Sequence, residues 1–131
     1  MNYLLIGGHA LSFYIAPRYT KDLDIWIESS KENARKVITV LKLFGAPLLD
    51  LVEEDFYTPG VIFQIGVEPN RIDILSAIDG IDFSDAWPNR MQTTIGTYPV
   101  NVISKADLIK NKRSTGRLRD LADVQDLERA K

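Results

Sequence analysis
From Asp22 to Glu28 polar and apolar residues alternate with a period of two, Leu23, Ile25 and Ile27 on one side and Asp22, Asp24, Trp26 and Glu28 on the other. That is the period of a strand, so the apolar three face a core and the two aspartates share the opposite face. Upstream, Tyr3 to Ile6 is apolar throughout, the pattern of a strand buried on both faces. A short helix is predicted from about Gly8 to Ala16, ending before Pro17 because a residue preceding proline is pushed out of helical geometry. Pro17 to Lys21 then links this helix to the aspartate strand.

Downstream, Ser29 with Glu32 three residues on gives a capping signal, and Ala34, Val37, Ile38, Leu41 and Phe44 recur at helical spacing until Gly45 and Pro47. Leu48 to Pro59 is acidic and irregular, a solvated loop with one short helical turn. Val61 to Val67 and Arg71 to Leu75 read as strands joined by the turn Glu68-Pro69-Asn70, a hairpin that lays Asp73 beside the aspartate strand. Ile78 to Trp87 reads as loop and short helix, with Phe83 and Trp87 packed on the sheet. Met91 to Ile95 and Tyr98 to Ile103 predict a second hairpin around Gly96-Thr97. Ser104 and Asp107 box the start of a helix that Gly116 breaks. A last helix, about Leu118 to Ala130, places Leu121, Val124 and Leu127 on one face.

Two carboxylates side by side repel one another when ionised, and a cation or a shared proton relieves them. Gly7-Gly8, between an apolar strand and a helix start, forms an anion site, because free N–H groups and the helix dipole point at whatever sits there. Phosphate beside metal is the chemistry these two features suggest.

The residues Gly7-Gly8, thirteen residues further the stretch Asp22-Leu23-Asp24-Ile25, and then Arg71-Ile72-Asp73-Ile74-Leu75 resemble the signature of the DNA polymerase beta nucleotidyltransferase superfamily. Gly7-Gly8-His9-Ala10 through Arg18, Thr20, Asp22 and Asp24, with the closing Arg117-Leu118-Arg119-Asp120-Leu121-Ala122-Asp123, is similar to the minimal nucleotidyltransferases and the abortive-infection toxins of bacterial toxin–antitoxin systems. The resemblance implies an α+β (mixed α/β) fold with a mixed, mainly antiparallel sheet flanked by helices. It implies transfer of a nucleoside monophosphate from an NTP to an RNA or protein acceptor, with two Mg²⁺ ions (or Mn²⁺) held by Asp22, Asp24 and Asp73. Asp73 would also help remove the proton of the incoming hydroxyl. Gly7, Gly8, His9, Arg18, Thr20 and Lys110 are the expected nucleotide-binding residues, with Lys112, Arg117 and Asp120 as additional candidates. A cognate toxin or antitoxin protein is the expected partner.

Two departures accompany the resemblance. Many members carry serine where Gly8 stands, and members usually place a helix before the first strand, where Met1 here lies two residues upstream. The flank left bare is expected to be covered by self-association, as a homo-oligomer. Several of these residues also have ordinary readings: Arg18 and Thr20 as loop hydrogen-bonders, His9 as a first-turn structural residue, Arg117 with Asp120 as a helix cap and salt bridge.

Composition narrows the classes. The 131 residues are expected to form a single domain, 1–131, without a separate recognition domain. With no cysteine, disulfides and thiolate metal sites are excluded. No apolar run approaches membrane-spanning length and no signal peptide precedes Tyr3, so a soluble cytoplasmic protein without membrane partners is expected. A net charge of −2 argues against a general polyanion-binding surface. Between Lys105 and Arg119, however, six basic residues stand against Asp107 alone, a run that suits a nucleotide or one RNA strand, or else a solvated helix face.

Three other classes compete. A catalytically silent module would keep the fold for binding a protein partner, against which three intact acids count. A retaining glycosyltransferase would use Asp22-Leu23-Asp24 to hold a nucleotide sugar, but the chain is short and the glycine pair unaccounted for. A nuclease would usually carry a lysine two residues after its strand acid, and Leu75 stands there.

Overall fold
A computed structural model describes residues 1–15, 22–48, 51–66 and 71–130. Six strands form one sheet: β1 (Tyr3–Ile6), β2 (Asp22–Ile27), β3 (Ile62–Ile65), β4 (Arg71–Leu75), β5 (Met91–Ile95) and β6 (Tyr98–Val102), in the order β3-β4-β2-β1-β6-β5. β1–β2, β3–β4 and β5–β6 pair antiparallel, while β1–β6 and β2–β4 pair parallel. The sheet is therefore mixed and mainly antiparallel, as expected. Both hairpins are present, although the expected turn at 68–70 lies outside the described residues.

Helices cover both faces. α2 (Lys31–Phe44) and the short α3 (Glu54–Tyr57) pack Ala34, Val37, Leu41 and Phe56 onto Ile27 and Ile74. The other face carries α1 (Gly7–Tyr14), α4 (Phe83–Ala86), α5 (Lys105–Thr115) and α6 (Leu118–Arg129), which bury Ala10, Leu11, Ala86, Leu108 and Leu127 around Leu4, Ile6 and Trp26. Trp26 thus shares the aspartates' side of β2 yet is 1 % exposed, against Phe83 at a centroid separation of 5.1 Å. Period-two alternation marked one core face, but in a sheet covered on both sides the second face is also packed beyond the polar end of the strand. Trp87 lies half-buried between Phe83 and Arg90, in the packing role expected of it.

Several ends differ from expectation. α1 stops at Tyr14, with Ile15 already extended, and Ala16 lies outside the described residues. The cap of α2 is Ser30 rather than Ser29: its Oγ accepts from Asn33 N at 3.2 Å. Asn33 explains the register. Buried to 3 %, it donates to the Asn2 and Glu28 carbonyls and accepts from Asn2 N at 2.7 Å, tying the start of β1 and the end of β2 to this helix.

α6 is rotated from the face its leucines predict. Val124 and Leu127 are buried, but Leu121 is 39 % exposed, and the inward positions beside them are Asp120 and Asp123. The cause lies on α5, where buried Lys112 reaches Asp123 at 3.0 Å and Asp120 at 3.3 Å. A buried ammonium needs partners, and turning the helix to supply two carboxylates outweighs burying one leucine. The basic run of α5 is largely spent in the same way. Lys105 donates to Ala130 O and Arg113 pairs with Glu128, so these cations stitch α5 to α6, while Arg117, just before α6, pairs with Asp120 in that helix's own first turn.

Candidate active site
β2 and β4 run parallel with Asp22 opposite Arg71 and Asp24 opposite Asp73. Paired residues in register point to the same face, so three carboxylates and one guanidinium form a patch at the start of both strands. Ile6, the last residue of β1, pairs with Asp24 on the other side. The chain turns there directly into α1 through Gly7, at φ +66°. A Cβ on Gly7 would overlap Asp24 Oδ2 and lie 3.1 Å from Asp24 Cγ. Only a residue without a side chain lets the backbone come this close to the carboxylate.

The start of α1 is bare. Its N-cap is Ile6, no side chain caps it, and no acidic residue stands in its first turn. The first-turn N–H groups, which have no acceptor within the helix, and the positive end of the helix dipole therefore lie beside the acids, as an anion site requires. His9 is exposed in the same first turn.

Among the described residues the patch is short of positive charge. Arg71 donates from Nε to Asp73 Oδ1 at 2.9 Å and from Nη2 to Asp22 Oδ2 at 3.0 Å and to Asp73 Oδ2 at 3.2 Å, bridging two of the three acids. Even so, Asp24 is pushed up from 3.8 to about 6. Burial is the largest cause, followed by the charge of Asp73, a hydrogen bond to Asp73 and the charge of Asp22, against the relief that Arg71 gives. Asp22 Oδ1 is buried without a hydrogen-bond partner among the described residues.

Hard carboxylate oxygens, one of them unpartnered, and a carboxyl raised by its neighbours are a donor set that a divalent cation would satisfy. Among the described residues no three acidic or histidine side chains already stand at ion-holding separation, and Arg71 bridges where positive charge is wanted. The residues fit a cation in kind, with the guanidinium as its competitor.

Of the residues singled out in the sequence, Gly7, Gly8, His9, Asp22, Asp24 and Asp73 come together here. Arg18 and Thr20 lie outside the described residues. Lys110 instead lines a separate cleft with Asp82, Asp85 and Asp107. Lys112 and Asp120 are buried in the α5–α6 ion cluster, where Arg117 Nε donates to Asp120 Oδ2 at 2.7 Å. The residue that sequence reasoning passed over is Arg71. Its signal was the strand period: two residues before Asp73 on a strand, it had to share that residue's face.

Three solved structures share this architecture. The lincosamide antibiotic adenylyltransferase LnuA, lincomycin-bound, is 19 % identical and superposes with a TM-score of 0.59 over 98 % of this chain and 86 % of its own. The antibiotic-resistance factor ANT(2'')-Ia is 13 % identical with a TM-score of 0.59, over 95 % of this chain and 72 % of that one. An antigenic nucleotidyltransferase-like protein from Paracoccidioides brasiliensis is 16 % identical with a TM-score of 0.53, over 97 % and 66 %. No known family's sequence profile and no curated protein sequence matches the chain. At these identities the likeness establishes the fold: this chain has the fold of the nucleotidyltransferases.

Proposed function
We propose that the chain is a Mg²⁺-dependent nucleotidyltransferase that moves a nucleoside monophosphate from an NTP to an acceptor hydroxyl. The observation that carries this reading is the closeness of Gly7 to Asp24: it sets an uncapped helix start, which suits phosphate, directly against the facing pair Asp24 and Asp73. Asp22, Asp24 and Asp73 would hold the divalent ions, with Mn²⁺ an alternative to Mg²⁺. When bound, these supply charge neutralisation for the triphosphate and activation of the attacking hydroxyl.

The chain's own groups do the rest. The N–H groups of Gly7 and Gly8 and the first turn of α1, with His9, receive the outer phosphates; Arg18 and Thr20 remain expected nucleotide-binding residues from the resemblance alone. Asp73 accepts the proton of the incoming hydroxyl, which attacks the α-phosphorus as pyrophosphate leaves. Arg71, which bridges Asp22 and Asp73, would compete with the divalent ions for those two carboxylates. In the expected setting the protein is cytoplasmic, the acceptor is an RNA or a protein, and a toxin–antitoxin partner sits beside it. A small-molecule hydroxyl is the second reading, favoured by the likeness to an adenylyltransferase whose bound ligand is lincomycin.

The test is a thermal-shift panel of ATP, GTP, CTP and UTP with and without Mg²⁺, on the wild type and Asp24→Asn. A ligand at a hundred times its dissociation constant stabilises by about 2.7 kcal/mol. A metal-dependent shift that the variant loses supports the reading, and its base preference narrows the search for the acceptor. If no nucleotide shifts the wild type, the catalytically silent module acting through a protein partner takes its place.

A further inference from the structure
β5 is the last strand of the sheet, and among the described residues β6 is its one strand partner. The phase of this hairpin shows which backbone groups stay open. Thr94 stands opposite Pro99, which has no N–H to give, and Asn101, opposite Gln92, donates its N–H to Tyr3 Oη at 3.3 Å. Hydrogen-bonded and non-hydrogen-bonded pairs alternate in an antiparallel ladder. The backbone groups of Met91, Thr93 and Ile95 therefore turn toward β6, and those of Gln92 and Thr94 point out of the sheet.

An open edge of this kind is ordinarily blunted by a charged residue, a proline or a bulge. β5 has none of these. No Asp, Glu, Lys or Arg occurs from Met91 to Ile103 in a chain that is 26 % charged, Pro99 lies on the inner strand, and the register from Met91 to Ile95 runs without a bulge. The side chains are open as well: Met91 is 46 %, Ile95 64 % and the facing Tyr98 76 % exposed. Residues paired in register share a face, so these three form one apolar strip. Gln92, Thr94 and Asn101 form a polar strip on the opposite face, where Gln92 Nε2 donates to Asn101 Oδ1 at 3.2 Å.

Open backbone groups in this order are completed by another extended strand, and β5 complements itself. Turned antiparallel about Thr93, two copies set Gln92 opposite the partner's Thr94 on both sides of the two-fold axis, which engages the outward backbone groups of both strands. The same turn sets Met91 beside the partner's Ile95 on the apolar face. No like charges meet, since the strand carries none, and a net charge of −2 per chain adds little repulsion between copies.

We propose that the chain forms a two-fold homodimer by antiparallel pairing of β5 with the β5 of a second copy, centred on Thr93. This places self-association at the sheet edge rather than at the flank ahead of β1. It does not rest on the catalytic reading, since β6 and β1 stand between β5 and the aspartate strand.

The test is sedimentation of the whole chain across micromolar concentrations, for the wild type, Gln92→Lys/Thr94→Lys and Gln92→Glu/Thr94→Lys, all at exposed positions. The wild type is expected to be a dimer. The paired lysines set like charges opposite one another twice across the two-fold axis and should weaken dimerisation about tenfold or more; Glu opposite Lys should dimerise at least as well as the wild type. Thr93→Cys reads the register independently. The chain has no cysteine, and a non-hydrogen-bonded pair at the axis brings the two Cα atoms to about 4.5 Å, within reach of a disulfide. Mild oxidation should link this variant into a dimer, while Leu43→Cys, 85 % exposed on α2, stays unlinked. The proposal is overturned by a wild type that stays monomeric, which would leave the edge to a strand of another protein. It is equally overturned by equal dimerisation of the two charge variants, or by linkage of Thr93→Cys no faster than that of Leu43→Cys.

Discussion
Gly7 and Asp24 meet so closely that the first has no room for a side chain: a Cβ there would overlap Asp24 Oδ2, and the backbone is already at φ +66°. Gly45, at φ +86°, has nothing within 4 Å of the same hypothetical atom. The two glycines separate backbone strain from crowding. Gly45→Ala should cost about 1–2 kcal/mol for its left-handed conformation and leave nucleotide-induced stabilisation intact. Gly7→Ala should lose that stabilisation as well, because Asp24 must move. Equal nucleotide shifts in the two variants would show that the approach of Gly7 to Asp24 has no functional consequence.

The raised carboxyl of Asp24 makes an opposite kind of prediction, in which removing a site residue stabilises. Its value of about 6 in the fold lies above the ordinary 3.8, so the folded state holds this proton more tightly than the unfolded chain. The associated stability is complete below about pH 4 and is lost as pH rises through 6. Asn cannot ionise. Without divalent metal, Asp24→Asn should therefore melt above the wild type at pH 8, with the gap closing toward pH 5, while nucleotidyl transfer is abolished. A variant melting below the wild type at pH 8 contradicts the crowding of charge at this site.

Much of this site was legible because strand period is a local property. Asp22 and Asp24 had to share a face, and Asp73 had to be on a neighbouring strand if the 61–75 stretch was a hairpin. The parallel register that sets Asp24 opposite Asp73 pairs β2 with a strand separated from it in sequence by α2, α3 and β3, and no single stretch carries that information. The part least legible was the basic run of α5. Charge counting treats Lys112 as a solvated cation, whereas only the docking of α6 shows it buried between Asp120 and Asp123. The role of Asn33 was not legible for the same reason: its amide ties together β1, β2 and α2 through contacts as much as 31 positions apart in sequence.

The Lys112 cluster should govern acid stability. Burial alone would raise Asp120, but hydrogen bonds from Thr115, Lys112 and Arg117 and the charge of Lys112 outweigh it and hold the carboxyl below 3.8. With the folded value depressed, its contribution is complete above about pH 4 and lost as pH falls through the folded value. Asp120→Asn should therefore melt well below the wild type at pH 7, and the difference should shrink as pH falls below about 4. Lys112→Met, which removes the buried cation that Asp120 and Asp123 share, should cost about 3–5 kcal/mol, on the order of 10 °C in melting temperature. A pH-independent difference for Asp120→Asn would mean that packing, and not charge, ties α6 to α5.

Arg71 decides whether the acid patch is a cation site. Its guanidinium bridges Asp22 and Asp73, and both side chains are partly screened by solvent, so removing it should cost only about 1–2 kcal/mol in the absence of divalent ions. The informative quantity is the change on adding Mg²⁺. In the wild type an ion gains the carboxylates only by displacing Arg71. In Arg71→Gln the same carboxylates are uncompensated, and the stabilisation by Mg²⁺ should be larger than in the wild type, with a lower concentration for half-effect. Adding Asp24→Asn to Arg71→Gln should then remove most of that gain. If Mg²⁺ stabilises Arg71→Gln no more than the wild type, Arg71 is not standing in for a metal, and Asp22, Asp24 and Asp73 serve to position the guanidinium itself.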